Sequence, residues 1–176
     1  MSSTTPQIIQ FSYFNLAGRG ELSRLLFTFG GVTFEDDRVA NFAAFKPKCP
    51  LGQLPVLEVD GTTYCQSAAI QRYAAKLGGL YPADAAAALH ADMISETLAE
   101  LFTTYVGIRF HEKDATAQVA QFTKFETETV PKIFGVLEGL VKGAFFSGES
   151  ASYADVHLFD VVYNAVNASL PQFSMA

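Results

Sequence analysis

Three short stretches carry side chains and backbone able to hold a small charged peptide. The first is Gln53-Leu54-Pro55-Val56-Leu57-Glu58-Val59-Asp60-Gly61. Its branched apolar residues alternate with Glu58 and end at Asp60-Gly61, a strong hairpin turn signal. Pro55 cannot donate to a β-ladder and so belongs at the strand's entrance. With a cis bond before it, the N–H and C=O of Leu54 face outward, where they can pair with an extended peptide. Gln66-Ser67 follows, opening a helical pattern over residues 68–77 that ends in Gly78-Gly79. Ser67 is the expected N-cap, and the free N–H groups at that helix start suit a carboxylate. An ordinary serine cap with no ligand is the alternative for that segment alone. The third stretch is Ser12-Tyr13-Phe14, followed by Asn15-Leu16-Ala17-Gly18-Arg19-Gly20. Tyr13 stands at a strand's end before a glycine-containing turn into a helix, where α/β folds place ligands. A half-buried strand aromatic is the ordinary alternative. Gly18 and Gly20 do not form a dinucleotide fingerprint, because the G-x-G-x-x-G spacing breaks at Ser23.

The elements that must position these residues change character near Gly78-Gly79-Leu80-Tyr81-Pro82. Before it, strands and helices alternate: strand 7–13, helix 20–30, strand 33–38, hairpin strands 55–59 and 62–65, and helix 68–77. This predicts a small α/β domain of thioredoxin type over residues 1–79. After it only helical periodicity remains, predicting an all-α domain over 83–176. Leu89, Met93, Thr97, Leu101 and Tyr105 recur at four-residue steps on a long helix. A second helical segment spans 115–140, with an interruption expected near Val130-Pro131. A third begins at Ser152, where Ser152 and Asp155 match a capping box.

Composition narrows the function further. The chain has 176 residues, 49% of them hydrophobic, enough to bury a core in one or two small domains. Its net charge of −6, with no basic run, argues against a nucleic-acid partner. No segment approaches the roughly 20 apolar residues that cross a bilayer, and the first residues lack the basic and apolar regions of a signal peptide. Cys49 and Cys65 form no CxxC pair, which indicates neither a redox dithiol nor a cysteine-bound zinc. A reduced, cytoplasmic protein is expected. His90 and His111 have no partners at metal-ligand spacing, so no metal is expected.

Taken together, Ser12-Tyr13-Phe14-Asn15-Leu16-x-Gly18-Arg19-Gly20-Glu21, Gly52 to Gly61, and Gln66-Ser67-x-Ala69-Ile70-x-Arg72-Tyr73 resemble the cytosolic glutathione S-transferases. Within that family the look is of the sigma class, which includes haematopoietic-type prostaglandin D synthases and lens S-crystallins. The resemblance spans nearly the whole chain. It is weaker after Pro82, where Ser152-Tyr153-Ala154-Asp155 is the main match. It implies a detoxifying transferase, a homodimer, that joins the glutathione thiolate to small apolar electrophiles.

Residue by residue, the resemblance implies that Tyr13 donates its hydroxyl hydrogen to the cysteinyl sulfur, helped by Arg19. Leu54, ahead of Pro55, pairs its backbone with the cysteinyl residue, while Gln66 and Ser67 take the γ-glutamyl carboxylate. Lys46 faces the glycine carboxylate, with Gln53 contributing nearby. Glu100 reaches the γ-glutamyl amine from the other subunit; without the resemblance, Asp92, Glu96 and Glu100 read as a solvated helix face. Phe42 replaces a tryptophan whose indole N–H would meet the glycine carboxylate, and Phe42 has no donor. Ala17 replaces an arginine of several sigma members, so substrate choice should differ. An electrophile pocket is expected from Phe14, Phe102, Tyr105, Gly107, His157 and Val161. Core packing is the alternative for Phe102, Tyr105 and Val161, and a surface position for His157. Two other activities remain in view: glutathione-dependent isomerisation of a prostaglandin endoperoxide, and a non-catalytic, crystallin-like role. Family members continue through further helical sequence after the region of Leu170 to Ala176, so the helical domain is expected to lack the last helices.

Overall fold

The computed structural model describes residues 8–167, and the chain divides into two compact units, Met1–Tyr81 and Pro82–Ala176. The first unit is built on a four-stranded mixed sheet in the order β2-β1-β3-β4. Strand β1 (Ile9–Tyr13) runs parallel to β2 (Glu35–Arg38) and antiparallel to β3 (Val56–Val59), which pairs with β4 (Thr62–Cys65). Asp60 and Gly61, at φ 49° and 81°, make the turn between β3 and β4, both in the left-handed region that such hairpins require. Register places Tyr13 beside Arg38 and Ser12 beside Val56.

Helix α1 (Glu21–Phe29) follows a 3₁₀ turn at Gly18–Gly20. Strand β2 is shorter than the expected 33–38. The N–H of Val32 bonds back to the carbonyl of Phe27 at 2.8 Å, so the chain leaves α1 in a tight turn before it can pair. A short helix, α2 (Phe42–Phe45), is capped by Asn41, whose Oδ1 accepts from Ala44 N at 3.1 Å, and runs into a 3₁₀ turn at Lys46–Lys48. Helix α3 (Ser67–Leu77) closes the unit and packs on α1. Its core holds Phe11, Leu22, Leu26, Phe27, Leu57 and Ile70, all fully buried.

The second unit is helical. Helix α4 (Ala85–Val106) begins at Asp84, whose Oδ1 accepts from Ala87 N at 2.9 Å. Its buried stripe is Ala91, Ile94, Ser95, Leu98, Leu101, Phe102 and Tyr105, spaced by three and four. The expected stripe at uniform four-residue steps is corrected at its start: Leu89 and Met93 are 72% and 46% exposed, while Leu101 and Tyr105 are buried. Four residues turn a helix by about 400°, so such a row drifts some 40° per step off any one face. After a π-helical stretch at Gly107–His111, α5 (Ala115–Lys124) and α6 (Val130–Glu138) are separated by a second, at Phe125–Thr129. That break lies where Pro131 offers no N–H to the carbonyl four residues back.

Helix α7 (Tyr153–Val161) carries the capping box. Asp155 Oδ2 accepts from both the N and Oγ of Ser152, at 2.8 and 2.7 Å, and its Oδ1 accepts from Phe146 N at 3.0 Å. One carboxylate thus caps the helix and ties down the preceding loop. No helix among the described residues is long and apolar enough to cross a membrane.

Candidate active site

Tyr13 ends β1 with its side chain buried, 7% exposed. Its hydroxyl oxygen accepts a hydrogen bond from the N–H of Arg19 at 3.1 Å. Since the oxygen is the acceptor there, the phenolic hydrogen is left for another acceptor. The ring lies directly against the turn. A Cβ on Gly18 would stand 2.7 Å from the Tyr13 hydroxyl, and one on Gly20 would overlap the ring at Cδ1 and Cγ. Gly18 also holds φ +45°, so this turn both bends and yields to the ring.

Arg19, whose N–H holds that hydroxyl, also lines a cavity of about 300 Å³ together with Leu51, Gln53, Leu54, Pro55, Cys65, Gln66 and Ser67; Tyr13 is not itself part of the lining. That volume falls at the lower end of small-molecule sites, roughly 300–1,000 Å³. Three pieces of chain converge on it: the 3₁₀ turn before α1, the segment entering β3, and the β4–α3 junction. The Leu54–Pro55 bond is cis. Of the expected site residues, the cavity collects Arg19, Gln53, Leu54, Pro55, Gln66 and Ser67.

The expected cap at Ser67 is corrected. Ser67 is the first residue of α3, and Gln66 occupies the cap position at φ 77°, with no side-chain hydrogen bond to the helix. A non-glycine residue held there costs on the order of 1–3 kcal/mol, and such positions cluster at ligand sites. The sharp turn at Gln66 sets the start of α3, at Gln66 and Ser67, on the cavity wall, and the first N–H groups of a helix have no intrahelical partner. Those groups and the positive end of the dipole favour an anion there.

Other expected residues lie elsewhere. Phe42 packs edge-on against Phe14, ring centres 5.4 Å apart, and Phe14 in turn against Tyr13 at 5.3 Å. Lys46 is exposed and runs over Gly52: a Cβ there would be 3.2 Å from Lys46 Cε. In the second unit, Glu100 is exposed on α4. Phe102, Tyr105 and Val161 belong to the buried core, and Val161 is wholly enclosed, so its assignment to a pocket wall gives way to core packing. His157 is buried, not a surface histidine, with its ring 6.0 Å from that of Tyr153. Gly107 starts the first π-helical stretch. Burial pushes the Tyr105 phenol up, opposed by the nearby Arg109 charge, so it stays a hydrogen donor at neutral pH. Among the described residues, no three His, Cys, Asp or Glu side chains gather to hold a metal ion.

Sequence reasoning missed Leu51 and Cys65 on the cavity wall, and Arg24 behind Tyr13. Leu51 and Cys65 carry no chemical signature. Arg24 had one: a charge among the buried Leu22, Ser23, Leu26 and Phe27 of α1.

Comparison with known proteins agrees with this geometry. Residues 9–76 match the glutathione S-transferase N-terminal domain, and residues 99–175 the C-terminal domain. A hematopoietic prostaglandin D synthase of Gallus gallus is 32% identical over 151 residues, 84% of this chain and 74% of its own. S-crystallin SL11 of Nototodarus sloanii is 33% identical over 167 residues, 90% of this chain and 81% of its own. The crystal structure of the glutathione S-transferase from Ascaris lumbricoides superposes with a TM-score of 0.77 at 31% identity, covering 94% of this chain and 84% of that one. The chain belongs to the glutathione S-transferase family. It is thus an enzyme of the transferase class, from a family whose co-substrate is glutathione.

Proposed function

We propose that this enzyme binds glutathione in the cavity of its first unit and adds its thiolate to small apolar electrophiles. The observation that carries the reading is the Tyr13 hydroxyl. Its oxygen is held by Arg19 N at 3.1 Å, its hydrogen is available, and the same Arg19 lines the polar cavity. A free thiol ionises near pH 8.5, so only a few per cent is thiolate at neutral pH. Lowering that value by ~2 units needs about 2.7 kcal/mol of preference for S⁻. A hydroxyl held by the Arg19 N–H before the sulfur arrives supplies much of such preference without reorganisation.

The remaining assignments follow the cavity wall. Gln66, Ser67 and the α3 N–H groups take the γ-glutamyl carboxylate, Leu54 pairs its backbone with the cysteinyl residue, and Gln53 and Lys46 serve the glycine end. Glu100 contributes from the other protomer of a two-fold dimer. Sigma-class character rests on the Tyr13 to Glu21 motif, and cytoplasmic detoxification is the setting that these features fit.

Conjugation of glutathione to 1-chloro-2,4-dinitrobenzene tests the reading. Turnover by the wild type that falls at least tenfold in Tyr13→Phe, with glutathione-affinity retention intact, is the expected result. Retention without turnover would replace it with a binding role like that of a crystallin. The likeness to a prostaglandin D synthase favours one second reading, isomerisation of a prostaglandin endoperoxide. Ala17 and Phe42 depart from that pattern, and the same preparation assayed with the endoperoxide decides it.

A further inference from the structure

We infer that Arg24 is a positioning residue for Tyr13, holding its ring and the turn after it so that the hydroxyl meets the thiol; this rests on the glutathione reading above. Arg24 is 4% exposed. A charge so far from water costs several kcal/mol unless it is paired and hydrogen-bonded. Four of its five N–H donors are engaged. Nε donates to Asp36 Oδ1 at 3.0 Å, and Nη1 to Glu21 Oε2 at 3.1 Å and to the carbonyl of Leu16 at 2.9 Å. Nη2 donates to the carbonyl of Phe14 at 3.1 Å.

The two carboxylates would suffice to neutralise the charge. The other two bonds go to carbonyls of the turn that directly follows Tyr13. The guanidinium carbon also lies 5.6 Å from the ring centres of both Tyr13 and Phe11. Arg24 therefore grips the turn after the tyrosine while its charge rests over the ring, polarising the phenol toward donation. Asp36 is itself aimed by Arg38, whose Nε donates to Asp36 Oδ2 at 2.8 Å. A lysine has the charge but lacks the planar fork that spans two carbonyls and two carboxylates.

The experiment follows the ultraviolet absorbance of bound glutathione thiolate against pH, together with glutathione affinity, in the full chain. The variants are Arg24→Met, Arg24→Lys and Asp36→Asn, each alone and combined with Tyr13→Phe. In Arg24→Met the bound thiol should titrate about one unit higher, leaving roughly threefold less thiolate at pH 7, with affinity nearly unchanged. Arg24→Lys should recover part of that shift. In the Tyr13→Phe background, neither change should move the titration further, because the route through the tyrosine is gone. A folded Arg24 variant with the wild-type titration, or an equal shift with and without Tyr13, overturns the inference. If Arg24→Met does not fold, Arg24→Lys and Asp36→Asn should each raise the titration by a smaller amount, and a wild-type titration in both overturns the inference. A wild type whose bound thiol titrates as free glutathione overturns the glutathione reading itself. A response to Tyr13→Phe without one to Arg24 overturns only the role of Arg24.

Discussion

Cys49 and Cys65 illustrate how surroundings separate two side chains of one type. Cys49 is buried, with its Sγ 4.0 Å from the carbonyl of Phe45, and desolvation pushes its thiol up. The thiolate is the nucleophile, so Cys49 should be inert to an alkylating reagent at neutral pH. Cys65 is half-buried on the cavity wall, next to Gln66. Iodoacetamide labelling followed by peptide mass analysis should modify Cys65 first, and saturating glutathione should slow that reaction several-fold. Equal labelling of both, or no protection, contradicts the placement. At this scale the sequence was most informative where backbone chemistry leaves a mark, as at Gln53 to Pro55 and Gln66-Ser67. At Arg24 it offered only a charge among the apolar residues of α1, and the bonds to carbonyls and to a ring that define its role are recorded by no spacing. It misplaced the cap at Ser67, since the positive φ of Gln66 follows from how β4 must turn into α3.

Helices and strands were legible to the extent that local signals decide them. The Asp60-Gly61 hairpin and the Ser152–Asp155 cap fall where turn and capping chemistry put them. The buried face of α4 was legible only near its C-terminal end, because uniform steps of four cannot follow a period of 3.6. The short α2 and the 3₁₀ turn after it have too few residues for any periodicity. Asp155 is the element-scale test. Its carboxylate accepts from Ser152 twice and from Phe146 N, so Asp155→Ala removes a cap and leaves a part-buried N–H without its partner. Urea unfolding should show a loss of about 2–3 kcal/mol, and Ser152→Ala about 1 kcal/mol. A loss below about 0.5 kcal/mol in Asp155→Ala, at the floor of cap energetics, contradicts this account.

Across the whole molecule, the division after Tyr81 coincides with the point where alternating strands and helices give way to helical periodicity alone. Leu89, Met93 and Tyr64 are exposed large apolar side chains. Burying each is worth roughly 1.5–3 kcal/mol. For the proposed homodimer, sedimentation at micromolar concentration should give twice the chain mass, and Met93→Glu should shift the equilibrium toward monomer. A wild-type monomer under those conditions contradicts the proposed dimer. The site of the electrophile was the least legible feature, because faces projected from sequence mix core residues such as Val161 with any that meet a substrate.

Glutathione is proposed to occupy the cavity bounded by the β3 entrance, Arg19 and the start of α3. Calorimetric titration of the full chain with glutathione, beside a Gln66→Ala/Ser67→Ala double variant, tests it most directly. Saturable binding in the wild type, weakened tenfold or more in the double variant while its unfolding transition is retained, is the predicted result. No binding by the wild type, or equal binding by the two, would contradict it.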